Sequence, residues 1–246
     1  MNNIVKMINV HKYFGDLHVL KGINFHVDRN ECVVILGPSG SGKSTLLQCL
    51  NCIELIQKGE IVIEDTIITP IPTKHDIKNV RNKIGIVFQQ YNLFPHLNVM
   101  RNITLALEVV QKISIKEAEQ IGRNLLDNFG LSDKADSFPN DLSGGQQQRL
   151  AIVRVLSMRP DILLFDEITS ALDPELVGEV IKTLEQLADE GKTMIVVTHE
   201  IGFARKAADR IVFMDSGKII EEGTPDKIIK DPENERTKAF FSQVLS

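Results

Sequence analysis

Apolar and polar positions along the chain change rhythm three times. In the first third, Ile4–Val10, Val19–Val27 and Glu60–Ile67 read as strands, with Gly15-Asp16 and Asp28-Arg29-Asn30 as turns. Cys32–Leu36 and Ile84–Phe88 are short, unbroken apolar runs, the pattern of strands covered on both faces. From about Asn98 to Met158 the spacing becomes helical, with breaks at Gly130 and Pro139-Asn140. The last third alternates. Ile162–Phe165, Thr193–Thr198 and Arg210–Met214 read as strands, separated by helices over Pro174–Glu190 and Glu200–Ala208. Within the first of these helices Leu176, Val177, Val180, Ile181, Leu184, Leu187 and Ala188 keep a helical period, between Asp173-Pro174 and Gly191. Strands joined through single helices predict a parallel sheet with right-handed crossovers. The expected architecture is an α/β core in one domain over 1–246, interrupted by a helical block. Phe240, Phe241, Val244 and Leu245 predict a short terminal helix.

Composition narrows the choice of partners. The chain has 246 residues, 43% hydrophobic, with a net charge of −5 and a pI near 5.7. This is enough for a substantial core, but it is no surface for a phosphate backbone, so no nucleic acid partner is expected. No apolar run approaches the roughly 18 residues of a membrane span, and Met1–Lys6 lacks the pattern of a signal peptide. Any work at a membrane then requires a partner that holds the chain there. Cys49 and Cys52 form a lone C-x-x-C beside Cys32, with no second Cys/His pair to complete a zinc site, and are read as structural.

Gly37-Pro38-Ser39-Gly40-Ser41-Gly42-Lys43-Ser44 matches G-x-x-x-x-G-K-[ST] between a buried strand and a helix over Ser44–Leu50. In that setting backbone N–H groups and the helix start converge on phosphates, Lys43 reaches the β- and γ-phosphates, and the Ser44 hydroxyl meets Mg²⁺. Ile162–Glu167 ends a buried strand in two carboxylates. Asp166 is the candidate Mg²⁺ holder and Glu167 the candidate general base for water.

Leu142-Ser143-Gly144-Gly145-Gln146 precedes an apolar helical run. Ser143 and Gln146 have the spacing of a capping box, which needs no ligand. The glycine pair weakens a first turn, which makes sense if something must approach the backbone closely. An open helix start with a Ser is a second anion site, and one chain has only one cradle. A head-to-tail pair of chains would use both.

Taken together, these motifs resemble the ATP-binding-cassette (ABC) ATPases over essentially the whole chain. Among them it is most similar to ATP-binding subunits of bacterial polar amino acid uptake systems. The motifs stand in the family's order: Gly37–Ser44, Gln89, Leu142–Gln146, Ile162–Glu167, Ser170-Ala171-Leu172-Asp173 and His199. The resemblance implies a P-loop NTPase (RecA-like) core with an antiparallel β subdomain over 1–89 and 160–246, and a helical signature subdomain over 90–159. It implies ATP and Mg²⁺ bound by Gly37–Ser44 and Thr45 of one copy and Ser143–Gln146 of another. Gln89 would sense the γ-phosphate and Mg²⁺, His199 would contact the γ-phosphate, and Asp173 would communicate across the dimer. Taken alone, Gln89 and His199 are polar residues at strand ends and Asp173 is a helix N-cap. Phe14 sits where the family stacks an aromatic ring on adenine, with Tyr13 as its neighbouring competitor.

Two positions depart from the family pattern. Ile168 stands where Pro usually follows the catalytic Glu, and Val153 where a small Ala is usual before Arg154. Neither removes a catalytic group. By the same resemblance the working unit is a homodimer on the cytoplasmic face of the membrane, below transmembrane permease subunits. A solute-binding protein would serve it indirectly. Gln90–His96 is the candidate permease-docking surface, although Leu93 and Phe94 could equally pack the helical block. Glu200–Arg205 and Glu235-Arg236-Thr237 are similar to amino acid uptake subunits, an analogy that carries the substrate class only. The rivals are a soluble cassette acting on DNA or ribosomes, a P-loop kinase, and a cassette coupled to export or to a mechanical membrane task.

Overall fold

A computed structural model describes residues 3–244. The first half runs β1 (Asn3–Phe14), β2 (Leu17–Asp28), β3 (Cys32–Leu36), α1 (Lys43–Leu50), β4 (Lys58–Ile63), β5 (Thr66–Ile68), α2 (Lys74–Lys83), β6 (Ile84–Val87), α3 (Val99–Val109) and α4 (Ile115–Asn128). The second runs α5 (Gly144–Ser157), β7 (Ile162–Asp166), α6 (Pro174–Asp189), β8 (Thr193–Val197), α7 (Ile201–Ala207), β9 (Arg210–Asp215), β10 (Lys218–Gly223), α8 (Pro225–Lys230) and α9 (Glu235–Val244).

The central sheet has six strands in the order β10-β9-β3-β8-β7-β6. All its pairings are parallel except β9 with β10. Its strands are apolar throughout because both faces are covered. Val34, Leu36, Leu163, Phe165 and Val196 point into one core with Ile103, Leu150 and Ile152 of the helical block. Val33, Ile35, Ile162, Leu164 and Ile195 point into the other with Leu46, Leu47 and the second sheet. The period-two alternation of each strand thus divides one run between two cores. The second sheet is antiparallel, in the order β2-β1-β4-β5.

The fold departs from the sequence expectation at several elements, of which three stand out. Glu60–Ile67 is not one strand: it turns at Glu64, whose φ is +50°, into the hairpin β4–β5. Helix α2 was not expected, and with Val80 as its buried residue it has almost no apolar stripe to read. A capping box between Thr73 and Asp76 starts it instead. Strand β10 was likewise unmarked in the sequence, since none of its residues is fully buried. The terminal helix forms as expected up to Val244, and Leu245 lies outside the described residues.

Candidate active site

The site gathers where parallel strands end. β3 delivers Gly37, β7 delivers Asp166 and β8 leads to His199, all at carboxyl ends of neighbouring strands. Gly37 has φ +149°, and a Cβ there would lie 2.0 Å from the Met214 carbonyl oxygen, so only glycine can leave β3 this way. Gly42, at φ +101°, turns the chain into α1 in the left-handed region. Ser39 and Gly40 are exposed at the loop tip, Pro38 is half-buried, and Thr45 is half-buried in the first turn of α1.

Lys43 is buried. Its Nζ donates to the carbonyl oxygens of Gly37 at 2.9 Å and Pro38 at 3.1 Å, and stands 3.7 Å from Glu167 Oε1. Burial lowers its pKa, against the opposing pull of Glu167 and Asp166. The Ser44 hydroxyl donates to Asp166 Oδ1 at 2.8 Å. Asp166 is itself buried, which raises its pKa despite that hydrogen bond. Ser41 Oγ is buried in the loop with no hydrogen-bond partner among the described residues, an orphan acceptor and donor facing into the cradle's own turn.

Glu167 leaves β7 with φ +49°, a left-handed backbone for a non-glycine residue, held by its N–H donating to the Val197 carbonyl at 2.9 Å. This turn brings its Oε1 to 3.2 Å from His199 Nε2. Lys43, Ser44, Asp166, Glu167 and His199, named from separate stretches of sequence, therefore share one cluster. Gln89 does not join it: the residue is exposed after β6 and lines a groove of about 350 Å³ with Gln90, Leu93, Pro139 and Gln147.

Ser143 and Gln146 form the expected capping box, with Gln146 N–H donating to Ser143 Oγ at 3.3 Å and Ser143 N–H donating to Gln146 Oε1 at 3.0 Å. Gly144 has an intrachain reason to be glycine, because a Cβ would meet the Tyr91 hydroxyl at 3.0 Å and Leu172 at 3.2 Å. Gly145 is looser, with Leu176 and Glu179 at ordinary contact. Asp173 occupies the N-cap position of α6, but its side chain accepts no hydrogen bond from the helix, so the capping reading of that carboxylate does not hold.

Of the two aromatic candidates, Tyr13 is already stacked on His18, centroids 4.0 Å apart and planes 12° from parallel. Phe14 is 43% exposed, with the Lys12 ammonium 4.6 Å from its ring centroid. The cysteines are inert: all three are buried, and burial pushes the thiols of Cys32 and Cys49 up to about 12 and that of Cys52 to about 11. A cavity of about 470 Å³ lies away from the cluster, between α4, α5 and α6, and is floored by Leu125, Phe129, Leu163 and Leu187.

Two side chains that sequence reasoning passed over hold the segment after Gln89. Arg154 of α5 donates to the Asn92 carbonyl at 2.7 Å and the Tyr91 carbonyl at 3.3 Å. Asn102 of α3, buried, bonds the backbone of Phe94, Leu97 and Asn98. Their partners are backbone atoms distant in sequence or hidden in a loop, which no residue pattern advertises.

The family model described as ABC transporter matches residues 20–170. The chain belongs to the ABC transporter family. It is 53% identical over 238 residues to the glutamine transport ATP-binding protein GlnQ of Geobacillus stearothermophilus, covering 96% of this chain and 97% of that one. It is 50% identical to the general L-amino acid transport ATP-binding protein AapP of Rhizobium johnstonii, over 98% of this chain and 93% of that one. Among solved structures, a dimeric ATP-binding cassette in a post-hydrolysis state bound to ADP and Pi superposes with a TM-score of 0.79 at 38% identity, covering 90% of this chain and 98% of that one. The fold is the ABC ATPase cassette, and the chain is an ATP-binding ATPase of this family.

Proposed function

We propose that this ABC ATPase is the motor subunit of an importer for polar amino acids, working as a head-to-tail homodimer beneath a transmembrane permease. The observation that carries the catalytic part is the convergence of Lys43, Ser44, Asp166, Glu167 and His199 at the ends of β3, β7 and β8. The importer and its substrate class rest on relatives named for glutamine and general amino acid transport at half identity or better over nearly their whole length.

The nucleotide fits the residues present. The cradle is built so tightly that a Cβ at Gly37 would strike backbone, and the buried Ser41 hydroxyl awaits a partner. Ser44 and Asp166 offer two hard oxygen donors side by side, which suits Mg²⁺. Bound there, Mg²⁺ would neutralise charge on the β- and γ-phosphate oxygens.

In the proposed cycle Lys43 exchanges the Gly37 and Pro38 carbonyls and the Glu167 carboxylate for phosphate oxygens, which frees Glu167. Glu167 then takes a proton from the attacking water, and His199 fixes the carboxylate and approaches the γ-phosphate. Phe14, not engaged as Tyr13 is, stacks on adenine. Ser143–Gln146 and Asp173 serve the nucleotide of the second copy. No hydrogen bond or ion pair joins Ser143–Gln146 to Gly37–Ser44 within one chain among the described residues. Closure is a two-state change, driven because only the closed pair lets the γ-phosphate touch Lys43 and Gln89 of one copy and Ser143 of the other at once. The segments 1–89 and 160–246 act as the nucleotide core and 90–159 as the signature subdomain.

Among the described residues no helix is long and apolar enough to cross a membrane. The proposed site of action is peripheral, at the cytoplasmic face, held by the permease through the groove at Gln89–Pro95, with a solute-binding protein supplying cargo from the other side. The test is recovery of the tagged chain from detergent-solubilised membranes of its host, followed by identification of what accompanies it. A stoichiometric polytopic permease, and transport of glutamine or glutamate by the reconstituted complex, is the expected result. Recovery with soluble or nucleic-acid partners alone would overturn the transport reading and leave the ATPase standing.

A further inference from the structure

The Glu235-Arg236-Thr237 stretch has no place in the cycle above, yet the fold gives it one. Phe240 and Phe241 of α9 pack on Phe213 of β9, with centroids 5.1 and 6.4 Å from it. Phe240 and Arg236 also line a small cavity of about 60 Å³ with Pro38 of the phosphate cradle. One residue after Phe213, the Met214 carbonyl stands where a Cβ on Gly37 would be. Next, Asp215 accepts from Arg236 Nε at 2.5 Å and from the Ser216 hydroxyl at 3.1 Å. Ser216 and Gly217 turn with φ of +50° and +82°, and the Gly217 N–H donates to the Ser41 carbonyl of the cradle at 3.0 Å. The Gly217 carbonyl in turn accepts from Lys21 N–H at 2.9 Å, so the turn is fixed from both sides.

We infer that Arg236 is a positioning residue for nucleotide binding: through Asp215 and the 215–217 turn, the C-terminal helix α9 sets the conformation of the phosphate cradle from behind. The physical reason is geometric. A cradle of backbone N–H groups is better placed for phosphate when its carbonyls are tied away from the ligand; Ser41 O is tied to this turn, and the Met214 carbonyl packs against Gly37. Asp215 is largely buried and Arg236 more than half exposed, so the pair holds position without a large desolvation cost. Its removal loosens the cradle without opening the core.

The inference rests on reading Gly37–Ser44 as the ATP site, and the experiment separates the two. ATP affinity, Michaelis constant, turnover at saturation and melting temperature are measured for the full chain, for Arg236→Gln, for Asp215→Asn and for the double variant. The expected result is a Kd and KM raised about three- to tenfold in each single variant. Turnover at saturation and melting temperature should stay close to the parent's, and the double variant should be no weaker than the worse single one. If the Arg236→Gln chain binds ATP as the parent does, or the two effects simply multiply, the latch is overturned while the ATP site stands. If the parent chain itself binds no ATP, both readings fall. A variant that lowers melting temperature with an unchanged KM marks the pair as structural and overturns the inference.

Discussion

Glu167 and His199 meet through Oε1 and Nε2 at 3.2 Å, and the same carboxylate oxygen lies 3.7 Å from Lys43 Nζ. One oxygen is thus shared between the residue expected to orient it and the residue expected to leave it for phosphate. The left-handed backbone of Glu167 is what aims the carboxylate at both.

Glu167→Gln keeps the shape of the side chain and removes its basicity. Hydrolysis should fall by at least about 100-fold, while ATP still binds and the chain accumulates as a dimer. Phosphate release, together with light scattering in the presence of Mg²⁺-ATP, checks both halves. Parent-like hydrolysis would remove Glu167 from the base role.

Asp166 should cost the nucleotide-free chain stability. Burial raises its folded pKa, so its stabilising contribution is full below the ordinary value of 3.8 and is lost as pH rises through the raised value. Asp166→Asn should therefore melt about 2–4 °C above the parent near neutral pH, with the gap closing in acid. The same variant should lose Mg²⁺-dependent hydrolysis. A melting difference independent of pH would show that Asp166 is not held at this disadvantage.

The stacking of Tyr13 on His18 supports the proposal that Phe14 is the adenine platform. Phe14→Ala should weaken ATP binding about five- to tenfold, and Tyr13→Ala by less than about twofold. Titration with a fluorescent ATP analogue separates them, and the reverse ranking would assign the role to Tyr13.

Arg154 joins the signature helix to the loop after Gln89 with no carboxylate in ion-pair range among the described residues, and burial lowers its pKa. Phe94 covers it, its ring centroid 5.6 Å from the guanidinium carbon. Arg154→Ala should free residues 90–96, speeding their amide exchange about tenfold or more. Lysine should restore little, since it cannot fork to two carbonyls. Unchanged exchange in that segment would show the loop is held by Asn102 alone.

The division between what sequence determined and what tertiary structure decided follows the range of the interactions. Cys32–Leu36, the Gly37–Ser44 cradle, the Ser143–Gln146 capping box and the α6 stripe are local: strand pattern, turn chemistry and helical period each act within a few residues. These were legible, and so was the cassette family they spell. Strand order was not, because β3 lies between β8 and β9 through contacts more than a hundred residues apart. Helix α2 and strand β10 escaped because they bury little, and pattern reads only what burial selects. Tertiary structure alone showed Tyr13 stacked on His18 across the β1–β2 hairpin, with Phe14 outside that stack. It alone placed Arg154 on the loop carbonyls and Arg236 behind the cradle. Long charged side chains reach partners that no periodicity encodes, and only the folded chain brings those partners within a hydrogen bond.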